Sequence, residues 1–274
     1  MKQVRNAQGS RAPAAPPRAA SAGRPLTARS VLASALLGMD PPELPVSQLV
    51  RLTGLFGISE NRARVALSRM VERGELYSHD GIYELAGRVA GRRPAQDWSI
   101  DPQLRAWKGM WRTGLVGGGA RAADERGALR DAMRRLRYAE LRDGVWTRPD
   151  NLPRAAGSTD WWRVADAQCQ WWTGRPVGDP LALAGELFDR PGWDARARVL
   201  ADRLQTASRA LGSSDDSLAD AFVVGASALA HLRADPLLPA ELVRGRPQGE
   251  RLRRAYRAYE TAFSDALAAW FRRK

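Results

Sequence analysis

Apolar residues recur at helical spacing in TARSVLASALLGM, where Val31, Leu32, Ala35 and Leu36 share one face behind a Thr27 cap. DPPELP, at 40–45, breaks that pattern and reads as a loop. Ser47 then caps a second helix, SQLVRLTGLF, with Leu49, Val50, Leu52, Leu55 and Phe56 to bury. Gly57 stops it. Ser59 caps a third helix over about Glu60 to Arg73, ended by Gly74, with Ala63, Ala66, Leu67, Met70 and Val71 as its apolar side. Leu76, Tyr77, Ile82, Tyr83 and Leu85 flank Asp80-Gly81, a strong hairpin signal. Helix, helix, tight turn, helix and two-stranded hairpin over residues 26–92 is the order of a winged helix-turn-helix.

GRRPAQD, at 91–97, has the character of a linker. AWKGMWRTGLVGG then reads as a strand, with Trp107, Met110, Trp111, Leu115 and Val116 as its apolar residues. ADERGALRDAMRRLRYAEL reads as an amphipathic helix: Leu129, Ala132, Met133 and Leu136 face inward, and Arg126, Arg130, Arg134 and Arg137 form the outer stripe. A hairpin around Asp143-Gly144 and a strand in VADAQCQWWTG complete a small α+β domain over 97–175. From Asp179 the strand signals stop, and 179–274 reads as a helical domain. In its last helix Leu252, Tyr256, Tyr259, Phe263, Leu267 and Trp270 follow at three- or four-residue steps, a domain-packing face rather than a ligand box. The whole is an α+β chain, mainly helical.

Charge changes this picture only locally. The 43 Arg and Lys residues against 30 Asp and Glu give a formal +13, which favours polyanionic partners. The excess is uneven. Residues 1–25 hold five cations (Lys2, Arg5, Arg11, Arg18 and Arg24) and no acid, and read as a disordered basic arm, whereas 26–92 hold eight cations and seven acids. Any DNA contact by the helix-turn-helix therefore depends on placement rather than on net charge. Cys169 is the sole cysteine, so no intrachain disulfide forms and a cysteine-based zinc site lacks ligands, which fits a cytoplasmic location. No apolar stretch reaches the roughly 20 residues of a membrane span, and no secretory signal is evident.

The third helix presents Asn61, Arg62, Arg64, Ser68 and Arg69 opposite its apolar side, with Ser59 at its start. Arg reads guanine and Asn reads adenine by paired hydrogen bonds, while Ser68 and Arg69 suit phosphate contacts. The plainer reading is a solvated helix carrying a Glu60–Arg64 pair at i,i+4. The turn, glycines and hairpin favour DNA binding. DWWRVADAQCQWW brings four tryptophans within thirteen residues. Trp161, Trp162, Trp171 and Trp172 with Arg163 and Arg175 form a candidate pocket for a bulky acyl-CoA; alternatively the rings fill the interface between the central and C-terminal domains. His79 and His231 stand far apart, with His231 read as structural. No catalytic Ser-His-Asp order, metal-ligand set, cofactor fingerprint or phosphate loop appears.

FGISENRARVALSRMVERGEL resembles the N-terminal module of PaaX-type transcriptional regulators. Its carrying residues are Ile58, Ser59, Glu60, Ala63, Arg64, Ala66, Leu67, Ser68, Arg69, Met70, Val71, Arg73, Gly74 and Leu76. LRYAELRDGVWTRPDN (136–151) and RADPLLPAELV (233–243) resemble the central and C-terminal segments of that family. The resemblance implies a non-enzymatic repressor of a catabolic operon, classically phenylacetate degradation, relieved by an aryl-acyl-CoA such as phenylacetyl-CoA. It also implies a central ferredoxin-like, Cas2-like domain and a homodimer on palindromic double-stranded operator DNA. An acyl-CoA or aromatic acid is the implied effector, with no cofactor. The alternative from a different class is a metal-dependent nuclease built on the Cas2-like centre. Such a site needs pooled carboxylates, but Asp101 precedes the first central strand and no acidic pair lies on that strand. One departure stands out: the family's wing is longer and arginine-rich, whereas YSHDGIY is short and carries Asp80. Arg88, Arg92 and Arg93, or the basic arm, are the candidate substitutes for wing contacts.

Overall fold

The computed structural model describes residues 26–39, 41–87, 92–119, 121–154 and 159–273; the basic arm, Arg88 and the side chains of Arg92 and Arg93 lie outside them. The chain is α+β and mainly helical, with two antiparallel sheets. Helix α1 (Ala28–Leu37) begins in a capping box, Thr27 and Ser30 each bonding the other's backbone amide, and buries the stripe Val31, Leu32, Ala35 and Leu36. The expected loop after it contains a strand, β1 (Glu43–Pro45). Pro41 and Pro42 exclude helix there, and the extended backbone pairs with β3 while Leu44 enters the core. Helix α2 (Val46–Gly54) starts at Pro45 without a side-chain cap, so Ser47 lies in its first turn rather than capping it.

Gly57 turns the chain at φ 68° into α3 (Glu60–Glu72). That helix closes in a Schellman arrangement: the amides of Gly74 and Glu75 donate to Val71 O and Met70 O at 2.8 Å each, with Gly74 at φ 64°. Strands β2 (Leu76–His79) and β3 (Ile82–Leu85) follow, joined by Asp80 and Gly81, both at positive φ, as a two-residue type I′ turn requires. The sheet has three strands, in the order β1-β3-β2.

The segment expected as a linker is helix α4 (Arg92–Ile100), which packs on two later helices and buries Gln96, Ser99 and Ile100. Pro94 falls in its first turn, where no backbone donor is needed, so the proline that suggests a linker is compatible with a helix start. Next come β4 (Trp111–Val116), α5 (Ala123–Arg135), β5 (Ala139–Arg142), β6 (Val145–Pro149), α6 (Thr159–Asp166) and β7 (Cys169–Gly174). Their four strands form one antiparallel sheet in the order β5-β6-β4-β7. On one face α5 and α6 bury Leu129, Met133, Trp162 and Ala165 against Trp146 and Cys169. On the other, Trp111 packs with Ala184, Phe188, Leu238 and Leu242.

Helices α7 (Pro180–Leu187), α8 (Arg190–Ala210), α9 (Asp215–Arg233) and α10 (Gly249–Arg272) complete the chain, with a 3-10 turn at Ala240–Leu242. The stripe on α10 serves two cores. Leu252, Tyr256 and Tyr259 join the bundle of α8 and α9, whereas Leu267 and Trp270 join the core of α1, α2 and α3. Phe263 borders both. Arg51 of α2 lies over the Trp270 ring at 4.1 Å, and Phe56 meets Phe222 of α9 at 5.2 Å. The N-terminal helices are thus docked on the C-terminal ones. No helix among the described residues is long and apolar enough to cross a membrane.

Candidate nucleic-acid interface

Helix α3 is held by its back. Ala63, Leu67 and Met70 are buried against α1 and α2, and Ala66 is half-buried. With 3.6 residues per turn, Asn61, Val65, Ser68 and Glu72 point directly away from that seam. Arg62 and Arg69 flank the outward row on one side and Arg64 on the other. All six expected residues, Ser59, Asn61, Arg62, Arg64, Ser68 and Arg69, are exposed on this surface. Val71, expected in the docked set, is 37% exposed, because position 71 falls on the Arg64 side of the wheel. Val65 is 42% exposed in the middle of the outward row. The sequence signal for it was available: Val65 stands four residues after Asn61 and three before Ser68. An outward-facing valine offers the apolar contact that a thymine methyl group accepts.

The polar groups here differ in how they are engaged. Arg64 donates to Glu60 at 2.8 Å, the i,i+4 pair of the plainer reading. Arg62 and Arg69 make no ion pair among the described residues. Ser59 occupies the N-cap position, but its hydroxyl makes no capping hydrogen bond. It stands exposed at a helix N-terminus, where the amide dipoles favour an anion. Glu72 faces outward at the far end and repels phosphate, which confines acceptance of a polyanion to the first two or three turns. Beside the helix, the tip of the β2–β3 hairpin carries Tyr77, 64% exposed, and the exposed His79 and Asp80, with no cation.

The tryptophan-rich segment does not surround one space. Trp162 and Trp171 meet Tyr138, at 6.2 and 5.3 Å between centroids, and each other at 5.5 Å, inside the core between the sheet and its two helices. Trp161 lies half-buried under Arg135 at 5.4 Å. Trp172 is on the opposite face of β7 and 62% exposed. Arg163 is exposed and paired with Asp160, and Arg175 lies over Gly109, where an added Cβ would come within 2.8 Å of its guanidinium. Strand alternation explains the division, since Trp171 and Trp172 necessarily face opposite ways. The core these rings fill belongs to the sheet and its own helices, not to the junction with the C-terminal helices.

That junction is built from charge. Arg137, expected on the outer stripe of α5, is buried. It follows the helix at φ 63°, the position and conformation usually taken by glycine, and the amide of Tyr138 donates to Met133 O across it at 2.9 Å. Its guanidinium donates to Asp235 O at 2.9 Å. Arg148 donates to Asn151 Oδ1 at 3.0 Å and to Pro236 O at 3.3 Å, and Asn151 Nδ2 donates to Leu237 O at 2.9 Å. The Asp235 carboxylate accepts from Arg190 at 2.9 Å, from Arg253 at 2.6 Å and from the Leu237 amide at 3.0 Å. Leu237 is also left-handed, at φ 52°. Burial pushes Arg148 down to about 9 and Arg137 to about 10, so both remain cations at neutral pH. The two family-like segments, 136–151 and 233–243, are thus the two halves of one buried lock. Among the described residues no group of His, Cys, Asp or Glu is placed to hold a metal ion. Asp101 lies exposed after α4, away from the strands. His231 stacks on Trp193 at 4.6 Å, with Nε2 2.9 Å from Trp193 O; burial pushes its pKa down.

A family model described as "PaaX-like protein" matches residues 27–89, which span α1 through the β2–β3 hairpin. Among solved structures, the chain is similar to "Uncharacterized protein Rv0674 from Mycobacterium tuberculosis", at 39% identity and a TM-score of 0.68, covering 89% of this chain and 98% of that one. No curated protein matches. On the match over residues 27–89, the chain belongs to the PaaX-like family, which points to a transcriptional regulator.

Proposed function

We propose that the chain is a repressor that binds double-stranded operator DNA as a homodimer, controls a catabolic operon, and is relieved by a small aromatic acid or an aryl-acyl-CoA such as phenylacetyl-CoA. The observation that carries this reading is the outward row Asn61, Val65 and Ser68 on α3, flanked by Arg62, Arg69 and Arg64 and docked from behind. With the hairpin beside it, this supports a winged helix-turn-helix that places the N-terminal half of α3 in the major groove. The order β4-α5-β5-β6-α6-β7, with β4 central between β6 and β7, supports a ferredoxin-like centre. In this reading the chain is not an enzyme. Labelled promoter DNA from the chain's own genomic neighbourhood, incubated with protein and magnesium, is expected to shift and stay intact. Cleavage would support the nuclease alternative instead, and the absence of any shift over promoter fragments would sink the reading.

The dimer has a surface to use. Trp172, with Leu115 at 37% exposure, lies on the sheet face opposite α5 and α6, where the cover of α7 does not reach. An exposed tryptophan beside a partly exposed leucine on an uncovered sheet face suits the centre of an interface. Trp172→Glu is expected to convert the dimer to monomer in sedimentation velocity and to weaken DNA binding by about 100-fold, through loss of the second half-site. A dimer that persists in this variant would place the interface elsewhere.

A further inference from the structure

We propose that the cleft between α1, α9 and α10 is a binding site for one small aromatic compound with a single hydrogen-bonding end, and that its occupancy acts on α3 through α1. This rests on the reading of the chain as a DNA-binding regulator. The cleft holds about 140 Å³, close to an apolar cavity that takes one benzene-sized ring, and it opens at its mouth. One wall is aromatic: Phe222 of α9 with Tyr256, Tyr259 and Phe263 of α10. Tyr259 and Phe263 stack at 5.5 Å, so a further ring has a face to lie against.

The space exists because small residues line α9. A Cβ on Gly225 would stand 2.3 Å from Tyr259 Oη, so the tyrosine lies directly on bare helix backbone and donates to Ala221 O at 2.9 Å. Ala226 beside it leaves the adjoining volume open. At one end Arg233 Nη2 donates to Gln96 Oε1 at 3.0 Å and Glu260 lines the cleft as well, which places the polar groups where the hydrogen-bonding end of an otherwise apolar molecule would lie. The remaining wall comes from α1, through Ser34, Ala35, Leu37 and Gly38. The opposite side of α1 buries Leu32 and Leu36 in the same core as Leu67 and Met70 of α3. An occupant therefore bears on one of the two helices that seat the outward-facing row.

The probe is N-phenyl-1-naphthylamine, a neutral aromatic fluorophore, titrated into the full chain with and without its bound DNA fragment. Saturable enhancement at one probe per chain is expected, with Ala226→Trp weakening it at least 10-fold while circular dichroism and DNA binding are retained. Ser264→Trp, on the exposed rim of α10, is a second filling variant should Ala226→Trp not fold. Unchanged probe affinity in a folded filling variant, or no saturable binding, overturns the site. The probe is also expected to alter DNA affinity, and no change in affinity at saturation overturns the coupling through α1. If the chain binds probe at this cleft but binds no DNA, the site stands and the regulator reading falls.

Discussion

Asp235→Ala is expected to destabilise the fold by about 3–5 kcal/mol, the usual penalty for removing one partner from a buried ion pair. For a chain of this size that corresponds to a fall of roughly 10 °C in Tm. Among the described residues the carboxylate is the sole anion touching Arg253 and one of two touching Arg190, and it also holds the Leu237 amide. Arg137 and Arg148 are packed around the same loop. Its removal leaves the Arg253 guanidinium buried and charged without its anion, and Arg190 with Asp194 alone, which costs more than the lost attraction itself. Two left-handed non-glycine residues, Arg137 and Leu237, are also held there, and each stores about 1–3 kcal/mol of backbone strain that the lock must offset. Asp235→Asn, which keeps the acceptor for Leu237 but loses the charge, should fall between wild type and Asp235→Ala. Thermal melts followed by circular dichroism check this; a shift of less than about 2 °C for Asp235→Ala would mean that the arginines find other partners.

Arg62→Ala and Arg69→Ala are each expected to weaken operator binding by 10- to 100-fold, about 1–3 kcal/mol, with an unchanged melting temperature. Both side chains are exposed and make no ion pair among the described residues, so neither holds the fold together. If one of them contacts phosphate rather than a base, the slope of log affinity against log salt should fall by about one. Arg64→Ala should have the smaller effect. Its pairing with Glu60 at 2.8 Å is solvent-exposed and worth only about 0.3–0.5 kcal/mol, but DNA has to displace it. Anisotropy titrations at several salt concentrations separate these cases. Equal and negligible effects of Arg62→Ala and Arg69→Ala would move the recognition surface off α3.

The parts of the fold that were legible in the sequence are those set by local signals. Gly57, Gly74 and Asp80-Gly81 act within one turn of the chain, and each is a left-handed position. They locate α3 and its hairpin without reference to anything distant. The outward row on α3 follows equally from helical period, although Val65 is easily overlooked in a search for polar groups. What was illegible depends on partners far away. Arg137 shares the spacing of the exposed Arg126, Arg130 and Arg134, and only Asp235, 98 residues later, makes it a buried residue. Strand β1 exists because β3 offers it an edge, and α4 because α9 and α10 offer it a groove. The four tryptophans are close in sequence, but strand alternation sends Trp171 and Trp172 to opposite faces.

The division of α10 between two cores has a consequence for the order of assembly. Arg51 donates to Phe271 O across a separation of 220 residues, and Leu267 and Trp270 close the core under α1 to α3. Contacts of that span form late, because a long loop has to be closed before they are gained. The unit carrying α3 is therefore synthesised before the helix that completes its core, and is among the last to be finished. A nascent or clipped chain ending before Leu267 leaves Val31, Leu49 and their neighbours under-packed. On the proposed reading, competence to bind DNA is then a property of the assembled chain, and proteolysis within α10 is expected to abolish it from a distant part of the sequence.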